Sequence, residues 1–145
     1  MFVKQISIFM ENKPGRLADL SELLAENGID LRAISIADTK EFGIVRLIVN
    51  DLDKAVKVLE QDGWVFKLTP VIAVMIPDES GRMADVLRVL TDNGIAVEYI
   101  YAVISHYSQK CCIIVRVVDK MGEAAVEALN SRGYEVISQE QMGNV

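Results

Sequence analysis

The sequence predicts an α+β chain made of two consecutive copies of one βαββαβ unit, and three observations predict it. A string of matched residues recurs at a fixed displacement. The apolar period switches between about two and about 3.6 in the same order in both copies, and a glycine follows each helical stretch. Lys13-Pro14-Gly15-Arg16-Leu17-Ala18-Asp19-Leu20 lies over Glu79-Ser80-Gly81-Arg82-Met83-Ala84-Asp85-Val86, so that Gly15 falls on Gly81, 66 residues on. Asn27-Gly28-Ile29 falls on Asn93-Gly94-Ile95 at the same displacement. Arg46 then falls on Arg116, Leu59 on Leu129 and Gly63-Trp64 on Gly133-Tyr134, now 70 residues on. Four additional residues are therefore expected between the two middle strands of the second copy, around His106-Tyr107-Ser108-Gln109. The copies are expected at residues 1–69 and 70–145.

The first strand runs from Val3 to Met10, with Ile6, Ile8 and Met10 on one face. A helix follows, its apolar stripe formed by Leu17, Leu20 and Leu24 in copy one and by Met83, Val86, Leu87 and Leu90 in copy two. Gly28 and Gly94 end these helices, because glycine takes a positive φ without strain. Two strands come next, 29–38 and 43–49. A second helix then carries Leu52, Ala55, Val56 and Leu59 behind an Asn50 or Asp51 cap. Gly63 closes it, and a last strand, 64–68, leads through a Thr69-Pro70 linker into copy two.

This element order is the split βαβ, or ferredoxin-like, arrangement: an antiparallel four-stranded sheet with both helices on one face. If Ile72 and Val74 point to the helices, then Val71, Ala73, Met75, Tyr99, Tyr101, Val103, Ile114 and Val118 point the other way. A face that apolar is expected to be buried, on copy one or on a second subunit. The matching face of copy one is more polar, with Gln5, Ser7, Ser35 and Arg46.

Composition narrows the function. Of 145 residues, 51% are apolar and 25% charged, enough to build a packed core. The net charge of -6, without a Lys/Arg cluster, argues against nucleic acid, whose affinity rests on phosphate neutralisation. The apolar run from Val71 stops at Pro77, short of the ~20 residues that span a bilayer, and no signal peptide is visible, so a cytoplasmic protein that avoids membranes is expected. Cys111 and Cys112 are neighbours that point to opposite strand faces, and His106 is the single histidine. Neither a disulfide nor a metal site is expected from them, and no cofactor.

The chemistry-bearing segment is Glu11-Asn12-Lys13-Pro14-Gly15-Arg16-Leu17, where strand one turns into helix one. Helix-start N–H groups lack intrahelical partners and carry the positive end of the dipole, so they receive a carboxylate well. Gly15 lets a ligand approach the backbone. A strand ending in a polar residue, Pro-Gly-x-Leu opening a helix, and Asn-Gly-Ile-Asp-Leu leading into the next strand together resemble the ACT domain, a family of small regulatory domains that bind amino acids and related molecules. The resemblance covers both copies, though copy two has Asp78 at the polar position and Ser80 in place of the proline. It implies polar ligand contacts from Asn12 and Asp30, with the Lys13, Pro14, Gly15, Arg16 and Leu17 backbone facing the carboxylate and a neighbouring domain completing the pocket. In copy two the matching positions are Asp78, Ser80, Gly81, Arg82 and Met83, and Ala96 stands where copy one has Asp30, so copy one is expected to hold the stronger site.

Each of these residues also has a plain structural reading. Pro14-Gly15 starts helices in many proteins, Asn12 forms Asx turns, and Asp30 is a solvated strand opener. Arg16 and Arg82 either hold a carboxylate or cover a helix end. No nucleophile with its base and no carboxylate pair can be assembled, so the expectation is not an enzyme. The turn lacks the Arg-ended, glycine-rich loop of acylphosphatases, which share this fold. Tyr99 and Tyr101 invite comparison with RNA-stacking aromatics, but the acidic chain disfavours that use. Two functions remain: a regulatory protein that binds a small molecule, an amino acid by the resemblance, and modulates an enzyme of amino-acid metabolism or a regulator; or a ligand-free interaction subunit. A homodimer is expected in either case.

Overall fold

The computed structural model describes residues 1–38, 41–105 and 109–145, so His106, Tyr107 and Ser108 of the longer hairpin lie outside the described residues. In chain order the elements are β1 (Val3–Glu11), α1 (Arg16–Glu26), β2 (Leu31–Asp38), β3 (Phe42–Val49), α2 (Leu52–Gln61), β4 (Val65–Pro77), α3 (Arg82–Asp92), β5 (Val97–Ala102), β6 (Lys110–Val117), α4 (Gly122–Ser131), β7 (Glu135–Ile137) and a short α5 (Gln139–Met142), with a 3-10 turn at Asp119–Met121. The fold is two βαββαβ repeats with antiparallel sheets. Two compact units result: Lys4–Thr69, and Pro70–Val145 together with Met1–Val3. The first three residues thus go with the second unit and not with the repeat they precede. Phe2 packs on that unit's core, where a Cβ added at Gly122 would meet its ring at 2.9 Å.

In the first unit the strand order is β2-β3-β1-β4. The strand period of two puts Ile6, Ile8 and Met10 of β1 and Val45, Leu47 and Val49 of β3 on one face. Leu20 and Leu24 of α1 and Ala55 and Leu59 of α2 cover that face, with Trp64 in the same cluster. Gly28 ends α1 at φ 69°, while the Ile29 N–H returns to the Leu24 carbonyl at 2.9 Å. Asp51 caps α2 by accepting from the Lys54 N–H at 3.1 Å. Asn50, the alternative cap, accepts instead from the Asp30 N–H at 2.9 Å. Away from the helices, the polarity expected of Gln5 and Ser7 does not make them wet. Both are buried, the Gln5 amide donating to Ser7 Oγ at 2.9 Å and Ser7 Oγ lying 2.8 Å from Thr69 Oγ1.

In the second unit the order is β5-β6-β4-β7, and Ile72, Val74, Ile76, Ile113 and Val115 meet Val86, Leu90, Ala125 and Leu129 of α3 and α4. On the opposite face Val71, Ala73, Met75, Val103 and Ile114 are buried within the single chain, so no second subunit is needed to remove them from water. Tyr99 and Tyr101 are half-buried and stacked, their ring centroids 6.4 Å apart, and Val118 is exposed. Cys112 is buried, which pushes its thiol up to about 12, and both cysteines are free.

Strand register corrects two expectations. Ser7 faces Arg46, whereas its repeat equivalent Ala73 faces Ile114, so Arg46 corresponds to Ile114 and not to Arg116. The additional residues of copy two are therefore shared between the β5–β6 hairpin and the connection from β6 to α4, where the 3-10 turn sits, and are not all in the hairpin. Thr69 and Pro70, expected to form a linker, lie inside the continuous strand β4. Among the described residues no helix is long and apolar enough to cross a membrane, and no group of three His, Cys, Asp or Glu side chains is placed to hold a metal ion.

Candidate functional site

The two β–α turns are superposable in their backbone chemistry. Gly15 precedes α1 at φ 88° and ψ -14°, and Gly81 precedes α3 at φ 87° and ψ -8°. Each is in the left-handed region that side chains resist. The Lys13 N–H donates to Glu11 O and the Arg16 N–H to Lys13 O; Glu79 to Pro77 O and Arg82 to Glu79 O repeat the pattern. The Asn12 N–H donates to Glu41 O at 2.9 Å, and the Asp78 N–H to Gln109 O at 3.0 Å. Exchanging Pro14 for Ser80 leaves this geometry intact. No side chain caps either helix, and Leu17 and Met83 sit exposed in its first turn.

Asn12 through Leu17 are thus brought together, and so are Asp78 through Met83. Asp30 is not. Its N–H and C=O pair with Asn50, beyond the end of β3 opposite to Glu41. The intervening eight-residue strand puts Asp30 about 25 Å from Asn12 at roughly 3.3 Å per residue. Asn12 and Asp30, which the resemblance assigns to one ligand, are thus separated, because α1 carries the chain back along the sheet before β2 begins. Asp30 accepts instead from Arg32 Nη1 at 3.0 Å.

A groove lies beside each turn, where the end of the unit's first strand meets the start of its last. In the first unit it encloses about 520 Å³ between Phe9, Met10, Glu11, Lys13, Arg16, Phe42 and the Gly63-Trp64-Val65 segment. The Arg16 guanidinium lies 4.1 Å over the Trp64 ring, a cation–π contact that holds it at the groove wall, and is 3.8 Å from Asp19. Trp64 Nε1 donates to Asp62 at 2.9 Å. Lys13 Nζ is 2.6 Å from Glu11, and that contact draws the Glu11 carboxyl below its usual range.

The second unit's groove, about 440 Å³, is lined at matching places by Met75, Pro77, Arg82, Lys110, Tyr134 and Glu135, with Asp85 and Arg132. Here the Tyr134 hydroxyl donates to Asp85, which also pairs with Arg132 at 3.5 Å. Burial, with the hydrogen bond to Asp85, pushes the Tyr134 phenol up. Arg82 is turned to Glu79 at 3.0 Å. Sequence reasoning missed both grooves. Trp64 and Tyr134 were visible as matched repeat positions, but nothing marked Phe42 or Val65.

The family described as an ACT domain pair matches residues 1–144 of the chain. No curated protein matches it. Among solved structures, protein BT0572 from Bacteroides thetaiotaomicron superposes with a TM-score of 0.90 at 32% identity, over 100% of this chain and 98% of that one. The regulatory subunit of aspartate kinase from Thermus thermophilus, in a ligand-free form, superposes at 0.63 with 21% identity, over 90% and 93% of the two chains. The same subunit from Thermus flavus gives 0.60 at 22% identity, over 88% and 90%.

Proposed function

Because the chain belongs to the ACT domain pair family, we propose that it is a regulatory protein, not an enzyme, that binds a free amino acid at the β1–α1 turn of the first unit and passes its occupancy to a partner protein. The observation that carries this reading is the uncapped start of α1 at Gly15, flanked by the cations of Lys13 and Arg16 and the carboxylate of Glu11. A free amino acid presents the complementary pair of charges, and helix-start N–H groups favour its carboxylate. Asp30 joins the same ligand only if it comes from a different domain than Asn12, since within one unit they stand at opposite ends of the sheet. A second subunit supplies that domain, which is why a homodimer belongs to the proposal. The structural neighbours named as regulatory subunits of aspartate kinase share the fold, and an enzyme of amino-acid metabolism in the cytoplasm is the partner class we propose.

Two or three charge-assisted hydrogen bonds, each of roughly 1.5–3 kcal/mol, support an affinity on the order of micromolar to millimolar. A thermal-shift screen against the twenty amino acids tests the reading, since a ligand that binds the native state raises its midpoint by mass action. At least one amino acid is expected to raise it saturably, and Asn12→Ala to weaken that response. No shift at millimolar concentrations removes the sensor reading.

The ligand-free interaction subunit has one observation in its favour. Ile34 and Ile36 are 37% and 50% exposed on β2, the outer strand of the first unit's sheet. Light scattering on Ile36→Glu separates the two: dissociation of an oligomer without any amino-acid response supports the interaction subunit.

A further inference from the structure

We propose that the amino acid taken by the first unit is aromatic, and that the groove of Phe9, Phe42, Trp64 and Val65 is its side-chain pocket. The inference rests on the amino-acid reading above and deepens it. Phe42 and Val65 are 57% and 66% exposed, and Phe9 is exposed beside them, so this apolar surface is left in water by the fold. The repeat shows that the fold does not require it. The matching lining of the second unit is Lys110, Glu135 and Met75, on the same scaffold and with the same turn. Two apolar side chains, Phe42 and Val65, therefore stand where the architecture accepts charge.

A small ligand fits this surface better than a protein segment. The space is concave, and its volume of about 520 Å³ falls within the roughly 300–1,000 Å³ of small-molecule sites. Its rim carries one carboxylate, Glu11, and two cations, Lys13 and Arg16, beside the apolar wall. That is the charge complement of a zwitterion attached to an apolar ring. Arg16, held at the groove wall by its contact with Trp64, offers N–H groups to a carboxylate, and Glu11 serves an α-ammonium. Phenyl or indole rings offer the offset-stacked and edge contacts that phenylalanine walls favour. In the second unit's groove Lys110 and Glu135 take the places of Phe42 and Val65.

Trp64 is the single tryptophan of the chain and forms part of the wall, so its emission reports on this groove directly. The experiment uses the full chain with phenylalanine, tyrosine, leucine, serine, aspartate and lysine, read by thermal shift and by selectively excited Trp64 fluorescence. The expected result is saturable binding of phenylalanine or tyrosine, at least tenfold tighter than serine or aspartate, with a change in Trp64 emission. Phe42→Ala and Val65→Glu are expected to weaken it at least tenfold while leaving the unliganded midpoint within a few degrees, because both side chains are exposed. Binding without aromatic preference, binding that leaves Trp64 silent, or aromatic binding indifferent to both variants overturns the pocket while the amino-acid reading stands. No binding by any of the twenty amino acids overturns both.

Discussion

The two grooves occupy one position in a repeated scaffold and have opposite linings. The first is walled by Phe9, Phe42 and Val65; the second carries Met75, Lys110 and Glu135. The turns that flank them, by contrast, are the same to within a few degrees at Gly15 and Gly81. Backbone geometry and side-chain chemistry have thus been separated. The turn is held by glycine and carbonyl acceptors, none of which depends on the identity of the neighbouring side chains, so the lining is free to diverge. The same separation holds on the sheet faces away from the helices, where Gln5 and Ser7 of the first unit stand at the places of Val71 and Ala73 in the second.

That last contrast gives the largest expected effect on stability. Ser7→Ala imports the second unit's residue but leaves the buried Gln5 amide and Thr69 hydroxyl without their shared partner, at a cost of about 1–3 kcal/mol in urea unfolding. Adding Gln5→Val removes the amide that lost its Ser7 acceptor and is expected to recover part of the loss. If the double variant is worse than the single one, the two faces are not exchangeable position by position. Next in size, Gly15→Ala and Gly81→Ala each force a side chain into the left-handed region and cost about 1–2 kcal/mol. The two losses are expected to agree within about 0.5 kcal/mol, because no atom other than the backbone resists the added Cβ at either site. A large inequality means that the turns differ in something besides conformation.

Tyr134→Phe removes the bond to Asp85 that only the second groove has, and is expected to cost about 0.5–1.5 kcal/mol. The phenol's folded value lies above the ordinary 10.0, so the neutral form is the stabilising one. Its contribution is full below pH ~10 and is lost as pH rises through the folded value, and the wild type's alkaline loss is expected to shrink in the variant. The smallest stability effect belongs to Phe42→Lys with Val65→Glu, which rebuilds the second lining in the first groove. At exposed positions the change is within about 0.5 kcal/mol, so a larger loss shows that these side chains serve the fold after all.

How far the sequence alone reached follows the same division. Positive-φ glycines, the strand period and the helix stripes are written into residue type, and Gly15, Gly28, Gly63 and their equivalents stand where a repeat alignment puts them. Arg46 was matched to Arg116 because like residues align in text, while strand register makes Ile114 its equivalent. Asp30 was assigned to the same ligand as Asn12 because the resemblance carries both; the 11-residue helix between them returns the chain to the far end of the sheet. Phe42 and Val65 carried no signal, since a single exposed apolar residue has neither period nor repeat to mark it.

Met1–Val3 belong to the unit that the rest of the chain completes last. On a ribosome that elongates at roughly 5–20 residues per second, Lys4–Thr69 is contiguous and becomes foldable as soon as it emerges. The segment bearing Phe2 finds its seat beside Gly122 only after more than a hundred further residues have been made. During that interval the Phe2 ring has no home, and its contact with the second unit's core forms only once Gly122 has been made.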